Sequence, residues 1–261
     1  MMAEWLATVT PSRAFVRAWR RHFLVWRKTA AASLVGNLGE PLLYLAGMGY
    51  GLGRFVGEVD GLPYLMFVAA GILAASSMNS ATFEVLYGSF TRMTRQNTFH
   101  AMLATPLSVA DVVSGEIVWG ATKSLIAGSA IYLVATLFGA FEPMAAPWAL
   151  AVAFLSGLCF ASLGMVMTAI SPSYEFFLYY TTLVTVPMFL FCGVFYPVDS
   201  LPPLMQMVAQ ILPLSHVVEL IRPLTTGAPL HNAPLHVSIL LLYGSIAYVA
   251  SVLLIKRRII V

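Results

Sequence analysis

Long apolar runs are the feature of this sequence that most limits how it can fold. Six stretches of about 20 or more mostly apolar residues follow one another, and a helix needs about 20 such residues to cross a bilayer. The stretches are 33–53, 62–85, 109–140, 148–170, 176–196 and 235–255. Hydrophobic residues make up 59% of the 261 and charged residues only 10%, so a soluble fold would expose large apolar patches. The sequence predicts an all-α integral membrane protein with six transmembrane helices, and it excludes a disordered chain, a disulfide scaffold and a nucleic-acid-binding protein.

The positions of Lys and Arg predict the orientation of the spans. Six of the 14 precede the first span, two lie between the second and the third, and three follow the sixth. With an even number of spans these residues share one side of the membrane, and cytosolic segments are enriched in Lys and Arg. We therefore expect a multi-pass protein with both termini in the cytosol.

A basic and aromatic segment precedes the first span. After an N-terminal tail of residues 1–10, the segment 11–29 places its Arg and Lys side chains within about 120° of helical arc and most of its large apolar side chains on a separate arc. Such a helix lies in the membrane surface and is attracted to anionic lipid. The residues that we expect to define this interfacial helix are Arg13, Arg17, Trp19, Arg20, Arg21 and Trp26.

The longest connection on the predicted cytosolic side is 86–108. Much of it has the composition of a short amphipathic helix that ends before Pro106, and Ser108 with Asp111 resembles a capping box for the third span. Two interpretations remain open: a loop that is basic only because it is cytosolic, or a helix that docks a cytosolic partner. Mixed charged and apolar side chains suit a protein contact. The candidate docking residues are Arg92, Arg95, Gln96, Phe99, His100, Met102 and Leu103.

The connection 197–234, on the opposite side, contains two apolar segments bounded by prolines. Apolar residues recur with helical spacing over 204–212, but each segment has only about ten residues. Ten residues cannot cross a bilayer, whereas paired short helices that enter it from the outer side can be buried against protein. We predict two such re-entrant helices within a six-helix transmembrane domain at 30–258, followed by a cytosolic tail at 259–261.

Glu40, Glu116 and Lys123 fall well inside predicted spans, whereas Glu84 and Asp111 lie at span ends, and charges inside a membrane are costly and often functional. Lys123 either forms a structural ion pair with Glu40 or Glu116, or takes part in a polar contact that moves during transport. The sequence offers no catalytic or metal site. The spacing around Lys123 is not that of a phosphate-binding loop, and His216 with Glu219 lacks the second His of a zinc motif.

Two groups of motifs resemble a known family. The segments LFCGVFYPVDSLPP at 190–203 and LPLSH at 212–216 resemble the signature of ABC type-2 exporter permeases. In the front half, ASLVGNLGEP at 32–41 and GEIVWGATK at 115–123 resemble the permease subunit of lipo-oligosaccharide exporters within that family. The resemblance extends from about residue 14 to residue 258.

The resemblance implies a protein of the bacterial cytoplasmic (inner) membrane with the same spans, surface helix and re-entrant helices. It also implies a homodimer bound to two copies of a separate cytosolic ATPase. That partner holds the ATP and Mg, so this chain is not an enzyme and carries no cofactor. By position, the connection 86–108 corresponds to the coupling helix of the family. The implied cargo is an amphipathic lipo-oligosaccharide or another glycolipid. Exporters of drugs or polysaccharides are related alternatives, and an ion-coupled carrier is a more distant one.

The expected substrate path runs between the two copies, along the first, second and fifth spans. Hydroxyl, amide and phenol groups there suit a glycan, although each is equally compatible with helix packing. The candidate path residues are Asn37, Ser76, Ser77, Asn79, Ser80, Thr82, Tyr179 and Tyr180.

Overall fold

The computed structural model describes residues 8–259, except for the side chains of 34, 36–38, 40, 41 and 146. Helices form nearly all of its secondary structure. The front half contains α1 (Phe15–Trp26), α2 (Ala30–Tyr44), a π-helical segment (Leu45–Leu52), α3 (Gly53–Val56), α4 (Tyr64–Phe83), a second π-helical segment (Glu84–Ser89), α5 (Phe90–Thr94) and α6 (Thr98–Leu103). An antiparallel hairpin joins α3 to α4, with β1 at Glu58–Val59 and β2 at Leu62–Pro63.

Two long helices open the back half, and shorter helices follow them. The helices are α7 (Val109–Leu137), α8 (Ala146–Ile170), α9 (Phe176–Tyr180), a third π-helical segment (Thr181–Thr185), α10 (Val186–Phe191), α11 (Pro203–Ile211), α12 (Pro213–Thr226) and α13 (Ala233–Ile259). Single 3-10 turns precede α8 and α11, at Pro143–Ala145 and Val198–Ser200.

Four helices in the described part of the chain are long and apolar enough to cross a membrane by themselves. They are Tyr64–Thr94, Val109–Leu137, Pro147–Ile170 and Ala233–Ile259, and they confirm the predicted second, third, fourth and sixth spans. The predicted fifth span is the shorter apolar helix Phe176–Phe191. The predicted first span coincides with the continuous helical residues 30–56.

The helix that holds the second span is longer than the apolar pattern predicts. It continues beyond Val85 through the second π-helical segment and α5 to Thr94. This extension is stabilised because Arg92, which the sequence places in a loop, forms ion pairs with the buried Glu116 and the half-buried Glu84. The chain then breaks at Asn97, whose φ of 51° ends the helix, and α6 follows.

The core is formed by α4, α7 and α8, which pack against one another, and α13 packs on α8. Small residues allow the close approach of these helices. A Cβ atom at Gly157 of α8 would lie 2.7 Å from the Ala121 Cα of α7. One turn away, the Ser124 hydroxyl of α7 donates to the Ala153 carbonyl of α8 at 2.8 Å. Helix α12 packs against α4 and α8 and completes the core.

Helix α1 lies along α7, with Ala18 and His22 buried between them. It is shorter than the predicted segment 11–29 because Ser12 is held in a turn. The Ser12 backbone N–H donates to Asp111 Oδ1 at 2.6 Å. The capping box predicted at Ser108 is confirmed: its hydroxyl accepts from the Asp111 N–H at 3.1 Å, and its own N–H donates back to the Asp111 carboxylate at 2.9 Å.

Several chain ends meet at one end of the bundle. Besides the Ser12 contact with the start of α7, the Tyr248 hydroxyl of α13 donates to the Val9 carbonyl at 2.8 Å. Arg258, near the end of α13, donates to carbonyls at the end of α8. Exposed Arg and Lys side chains of α1 and of the end of α13 surround this region. We call it the basic end.

The two predicted short helices between the fifth and sixth spans are α11 and α12, which meet at an angle of 86°. The bend falls at Leu212, directly before Pro213, where the residue preceding a proline is disfavoured in helical conformation. The second helix does not end at Pro223, as its sequence suggests, but continues to Thr226. Hydroxyl groups extend it, since Thr226 Oγ1 donates to the Arg222 carbonyl at 2.8 Å.

Candidate functional site

A cavity of about 440 Å³ lies between α2, α4, α7 and α10. Helix α4 and its π-helical continuation supply most of the cavity wall. Their lining residues recur every three or four positions and therefore share one helical face. Its lining includes Ser33, Tyr44, Ser76, Asn79, Ser80, Glu84, Lys123 and Phe189. Among them the Asn79 Oδ1 atom is buried and has no hydrogen-bond partner within the described residues.

One side of the cavity is aromatic. The rings of Tyr44 in α2 and Phe189 in α10 meet edge to face, with their centroids 5.7 Å apart. Phe189 also meets Phe195 edge to face at 4.9 Å. Such pairs add about 0.5–1.5 kcal/mol beyond their buried area. They join the predicted first and fifth spans to each other.

The other side of the cavity carries charge. Lys123 Nζ donates to the Ser33 hydroxyl at 2.7 Å and lies 3.9 Å from Glu84 Oε2. Its ammonium group also lies 5.6 Å from the centre of the Trp26 ring. Of the two ion-pair partners considered for Lys123, Glu116 does not contact it, because the Glu116 carboxylate is held by Arg92, His22 and Ser89. The side chain of Glu40, the alternative partner, lies outside the described residues.

A charged cluster lies next to the cavity and consists of His22, Glu84, Arg92 and Glu116. Arg92 bridges the two carboxylates, with its guanidinium 2.6 Å from Glu116 and 3.0 Å from Glu84. His22 Nε2 is 3.1 Å from Glu116, whose side chain is wholly buried. The Ser89 hydroxyl donates to the same carboxylate at 2.7 Å. The cluster therefore ties α1, α5 and α7 together.

The structure brings only some of the predicted path residues to the cavity. Ser76, Asn79 and Ser80 line it. Ser77 and Thr82 point away from it and are buried against the core helices, where Gly128 and Gly164 approach them. Tyr179 is exposed and Tyr180 is buried, and neither lines the cavity. The side chain of Asn37 lies outside the described residues.

Sequence reasoning did not assign Ser33, Tyr44, Glu84 and Phe189 to the cavity. For Glu84 a signal was present, because it follows Ser76 and Ser80 at intervals of four residues and so shares their face of the helix. No comparable signal exists for Tyr44 and Phe189, which come from two other segments of the chain.

The predicted docking residues fall into two groups, those buried in the protein and those exposed at its surface. Phe99 and Met102 are buried in the core, where their apolar side chains hold α6 against the bundle, so neither can be a surface contact in this structure. Arg92 belongs to the charged cluster, and Leu103 is half-buried. Arg95, Gln96 and His100 are exposed.

A groove of about 490 Å³ separates α1 from α6 at the basic end. Arg17 and Arg21 of α1 line one side, and Gln96, Thr98 and Thr105 line the other. The guanidinium groups make this groove suitable for an acidic segment of another protein. Arg13, Arg17, Arg20 and Arg21 are exposed, whereas the aromatic side of α1 packs on protein: the Trp19 indole N–H donates to the Thr122 hydroxyl at 2.9 Å, and Trp26 contacts Trp119.

Comparison with known proteins identifies the family. The family described as "ABC-2 type transporter" matches residues 13–224. Nodulation protein J of Rhizobium leguminosarum bv. viciae is 47% identical over 244 residues, which are 94% of each chain. Nodulation protein J of Rhizobium meliloti (strain 1021) is 45% identical over 244 residues, 94% of this chain and 93% of that protein. The inner membrane transport permease YadH of Escherichia coli (strain K12) is 22% identical over 198 residues, 76% of this chain and 75% of that protein.

These matches confirm the resemblance that the sequence motifs indicate. The matched range contains the cavity, the charged cluster and both sides of the groove between α1 and α6. The chain also has four helices that are long and apolar enough to cross a membrane, and its cavity is lined by both polar and aromatic side chains. The chain therefore belongs to the ABC-2 type transporter family, in which its part is that of a membrane transport permease.

Proposed function

We propose that this chain is the membrane subunit of an ATP-driven exporter in the bacterial inner membrane, with ATP and Mg bound by a separate ATPase. One observation carries the proposal. The cavity and the groove between α1 and α6 are joined through a short path of contacts, from Glu84 in the cavity wall to Arg92 and onward into the segment that leads to α6. A force applied at the basic end would therefore reach the cavity wall.

In this proposal the basic end faces the cytosol, in agreement with the positive-inside rule. Residues 30–56 and Phe176–Phe191 then complete six spans, α11 and α12 form the re-entrant pair, and α1 lies at the cytosolic surface of the membrane. The exposed Arg residues of α1 support an attraction to anionic lipid. The Escherichia coli relative is an inner membrane transport permease by name, which supports the inner membrane as the location.

Two copies of the ATPase would dock on two copies of this chain. The groove between α1 and α6 supports this docking because Arg17 and Arg21 of α1 line one side of it, and because Phe99 and Met102 fix α6, which forms the other side, to the core. A second copy of the chain is supported by exposed apolar side chains beside the cavity. The side chains of Val35 and Leu43 in α2 are about three-quarters exposed, and that of Leu183 is 70% exposed. A second copy placed against them would close the cavity.

The proposed cargo is a lipo-oligosaccharide or another amphipathic glycolipid. Hydroxyl and amide groups on one side of the cavity suit glycan hydroxyls, and the aromatic side suits apolar parts of a ligand. The motif resemblance to lipo-oligosaccharide exporters and the high identity to nodulation proteins support this class. Export of a drug or a polysaccharide is the alternative within the family.

Co-purification from native membranes tests the ATPase partner. We expect the detergent-solubilised chain to bring down an ATPase with a phosphate-binding loop in equal copy number, as identified by mass spectrometry. The double variant Arg17→Glu, Arg21→Glu reverses the charge of the groove and should remove the ATPase. Arg20→Glu is the matched control, because Arg20 is exposed on the same helix but does not line the groove.

Two outcomes would contradict the proposal. One is a pure preparation of the unaltered chain without any ATPase. The other is transport in vesicles that continues without ATP and stops when the proton gradient is collapsed, which would favour an ion-coupled carrier. Equal loss of the ATPase in the Arg20→Glu control would contradict the groove as its docking site.

A further inference from the structure

A second groove, of about 380 Å³, lies between α7, α8, α13 and the start of α1 with the residues just before it. It shares no lining residue with the transport cavity. Its walls are almost entirely apolar, with Ile117 and Val118 on α7, Leu155 and Leu158 on α8, and Leu241 on α13. Its volume falls within the range of about 300–1,000 Å³ that is typical of ligand sites. We call it the lateral groove.

A glycine keeps the lateral groove open. A Cβ atom at Gly244 of α13 would meet only the backbone of Cys159, at an ordinary contact distance of 3.5 Å. Alanine would therefore fit at this position, and a longer side chain would extend into the groove. The polar groups at the basic end of the groove are satisfied: the Ser114 and Tyr248 hydroxyls lie 3.0 Å apart, and Tyr248 donates to Val9. The groove thus offers a ligand little besides apolar surface.

The length of the lateral groove matches one leaflet of a bilayer. It extends along α13 from Leu240 to Val249, and a rise of about 1.5 Å per residue gives a length of about 14 Å. The hydrocarbon core of a bilayer is about 30 Å thick, so this length is close to half of it. The groove ends at Pro11 and Phe15, which belong to the basic end.

Positive charge surrounds the basic end of the lateral groove. Arg13 lies between the lining residues Pro11 and Phe15, and its side chain is exposed. Lys256 is exposed two turns beyond Tyr248 on α13, and its Nζ lies 3.4 Å from the Thr8 hydroxyl. An apolar slot of one leaflet's length with two cations at its end matches a lipid that has a long acyl chain and an anionic headgroup.

We propose that the lateral groove binds an anionic phospholipid of the cytosolic leaflet, with one acyl chain between α8 and α13 and the headgroup near Arg13 and Lys256. This inference uses the orientation proposed above, with the basic end in the cytosol, but it does not depend on the ATPase or on the cargo. It goes beyond the general attraction of α1 to a charged surface, because it assigns a defined site for a single lipid molecule.

Native mass spectrometry of the detergent-purified chain tests the site, with phosphatidylglycerol and phosphatidylcholine as probes. We expect one tightly held phosphatidylglycerol per chain and weaker binding of phosphatidylcholine. Gly244→Leu fills the groove and should abolish this adduct. Ile246→Phe is the matched control, since Ile246 is 63% exposed on the same helix but does not line the groove. Arg13→Gln and Lys256→Gln should each weaken the binding of phosphatidylglycerol about fivefold. This factor corresponds to about 1 kcal/mol for each positive charge near an anionic headgroup.

A second measurement uses the unaltered chain, so its result does not depend on whether a variant folds. A phosphatidylglycerol with a photoreactive diazirine in its acyl chain should label peptides of the unaltered chain that contain Leu158 or Leu241. Labelling spread evenly over all exposed helices would overturn the site, as would equal binding of the two phospholipids. Retention of the adduct in Gly244→Leu would also overturn it. Failure to recover an ATPase in the pull-down would contradict the proposed exporter but would leave these results unchanged.

Discussion

Arg92 and Glu116 form an ion pair of 2.6 Å inside the protein, although the sequence places Arg92 in a predicted loop and Glu116 in a predicted span. Glu116 is wholly buried on α7, and Arg92 comes from the extension of the second span. The pair fixes the end of that span to the helix beside it and, through His22, to α1. The residues that give α6 its position are therefore those of the charged cluster as well as the apolar anchors Phe99 and Met102.

Replacing Arg92 by Gln should reduce the free energy of unfolding by about 3–5 kcal/mol, because it leaves the Glu116 carboxylate buried without its strongest partner. Unfolding in mixed detergent micelles measures this change. Arg95→Gln is the control: Arg95 is exposed three residues away, and its substitution should change the stability by no more than about 0.5 kcal/mol. Arg92→Gln combined with Glu116→Gln should recover part of the loss. Equal stability of the two Arg variants would contradict the role of the pair.

Lys123→Met should leave stability nearly unchanged but reduce transport. Glu84 would lose an ammonium group 3.9 Å away and still keep Arg92 at 3.0 Å, so no carboxylate would be left unpaired. The cavity, however, would lose its positive charge. Unfolding in detergent and ATP-driven uptake of a glycolipid into inverted vesicles separate the two effects. A loss of stability as large as that of Arg92→Gln would show that Lys123 is a structural residue.

Gly157→Ala should destabilise the core by about 1–3 kcal/mol, since the added Cβ would overlap the backbone of Ala121 and force α7 and α8 apart. Gly51→Ala is the control, because a Cβ there has no neighbour within 4 Å. Within a helix this second change should be neutral or stabilising by up to about 1 kcal/mol. Thermal unfolding of both variants in the same detergent compares them. Similar losses would contradict the close packing of α7 and α8.

Asn79→Leu should weaken the binding of a glycolipid up to about tenfold, which corresponds to the loss of one hydrogen bond of about 0.5–1.5 kcal/mol. Asn79 lines the cavity, and its buried Oδ1 atom has no partner within the described residues, so the side chain gains a hydrogen bond by turning toward a ligand. Ser77→Ala, on the buried side of the same helix, should leave binding unchanged. The concentration dependence of uptake into inverted vesicles provides the measurement. An equal effect of the two substitutions would argue against the cavity as the cargo site.

Much of the fold is predictable from the sequence because apolar length and proline spacing are local signals. The four long spans, the bent pair α11 and α12, and the capping box at Ser108 all follow from such signals. The continuation of the second span to Thr94 does not, because it depends on Glu116 in a different helix. Local pattern cannot show that a basic residue after an apolar run has a buried partner.

The candidate site is less predictable for the same reason. Ser76, Ser77, Asn79, Ser80 and Thr82 look alike in the sequence, and only the positions of α7, α8 and α2 decide which face of α4 borders a cavity. The amphipathic pattern of α6 identifies a helix with a polar face. It does not tell which apolar residues face the core and which face a partner, and the structure assigns Phe99 and Met102 to the core.

Glu84 belongs to two environments at once, since one of its carboxylate oxygens contacts Arg92 and the other lies toward Lys123 in the cavity wall. A ligand that draws this carboxylate toward itself competes with Arg92 for the same charge. If a ligand shifts the equilibrium between two positions of Arg92 by a given factor, then moving Arg92 between those positions changes the affinity of the cavity for the ligand by the same factor. In the proposed exporter, this one side chain would therefore couple the occupancy of the cavity to the position of Arg92.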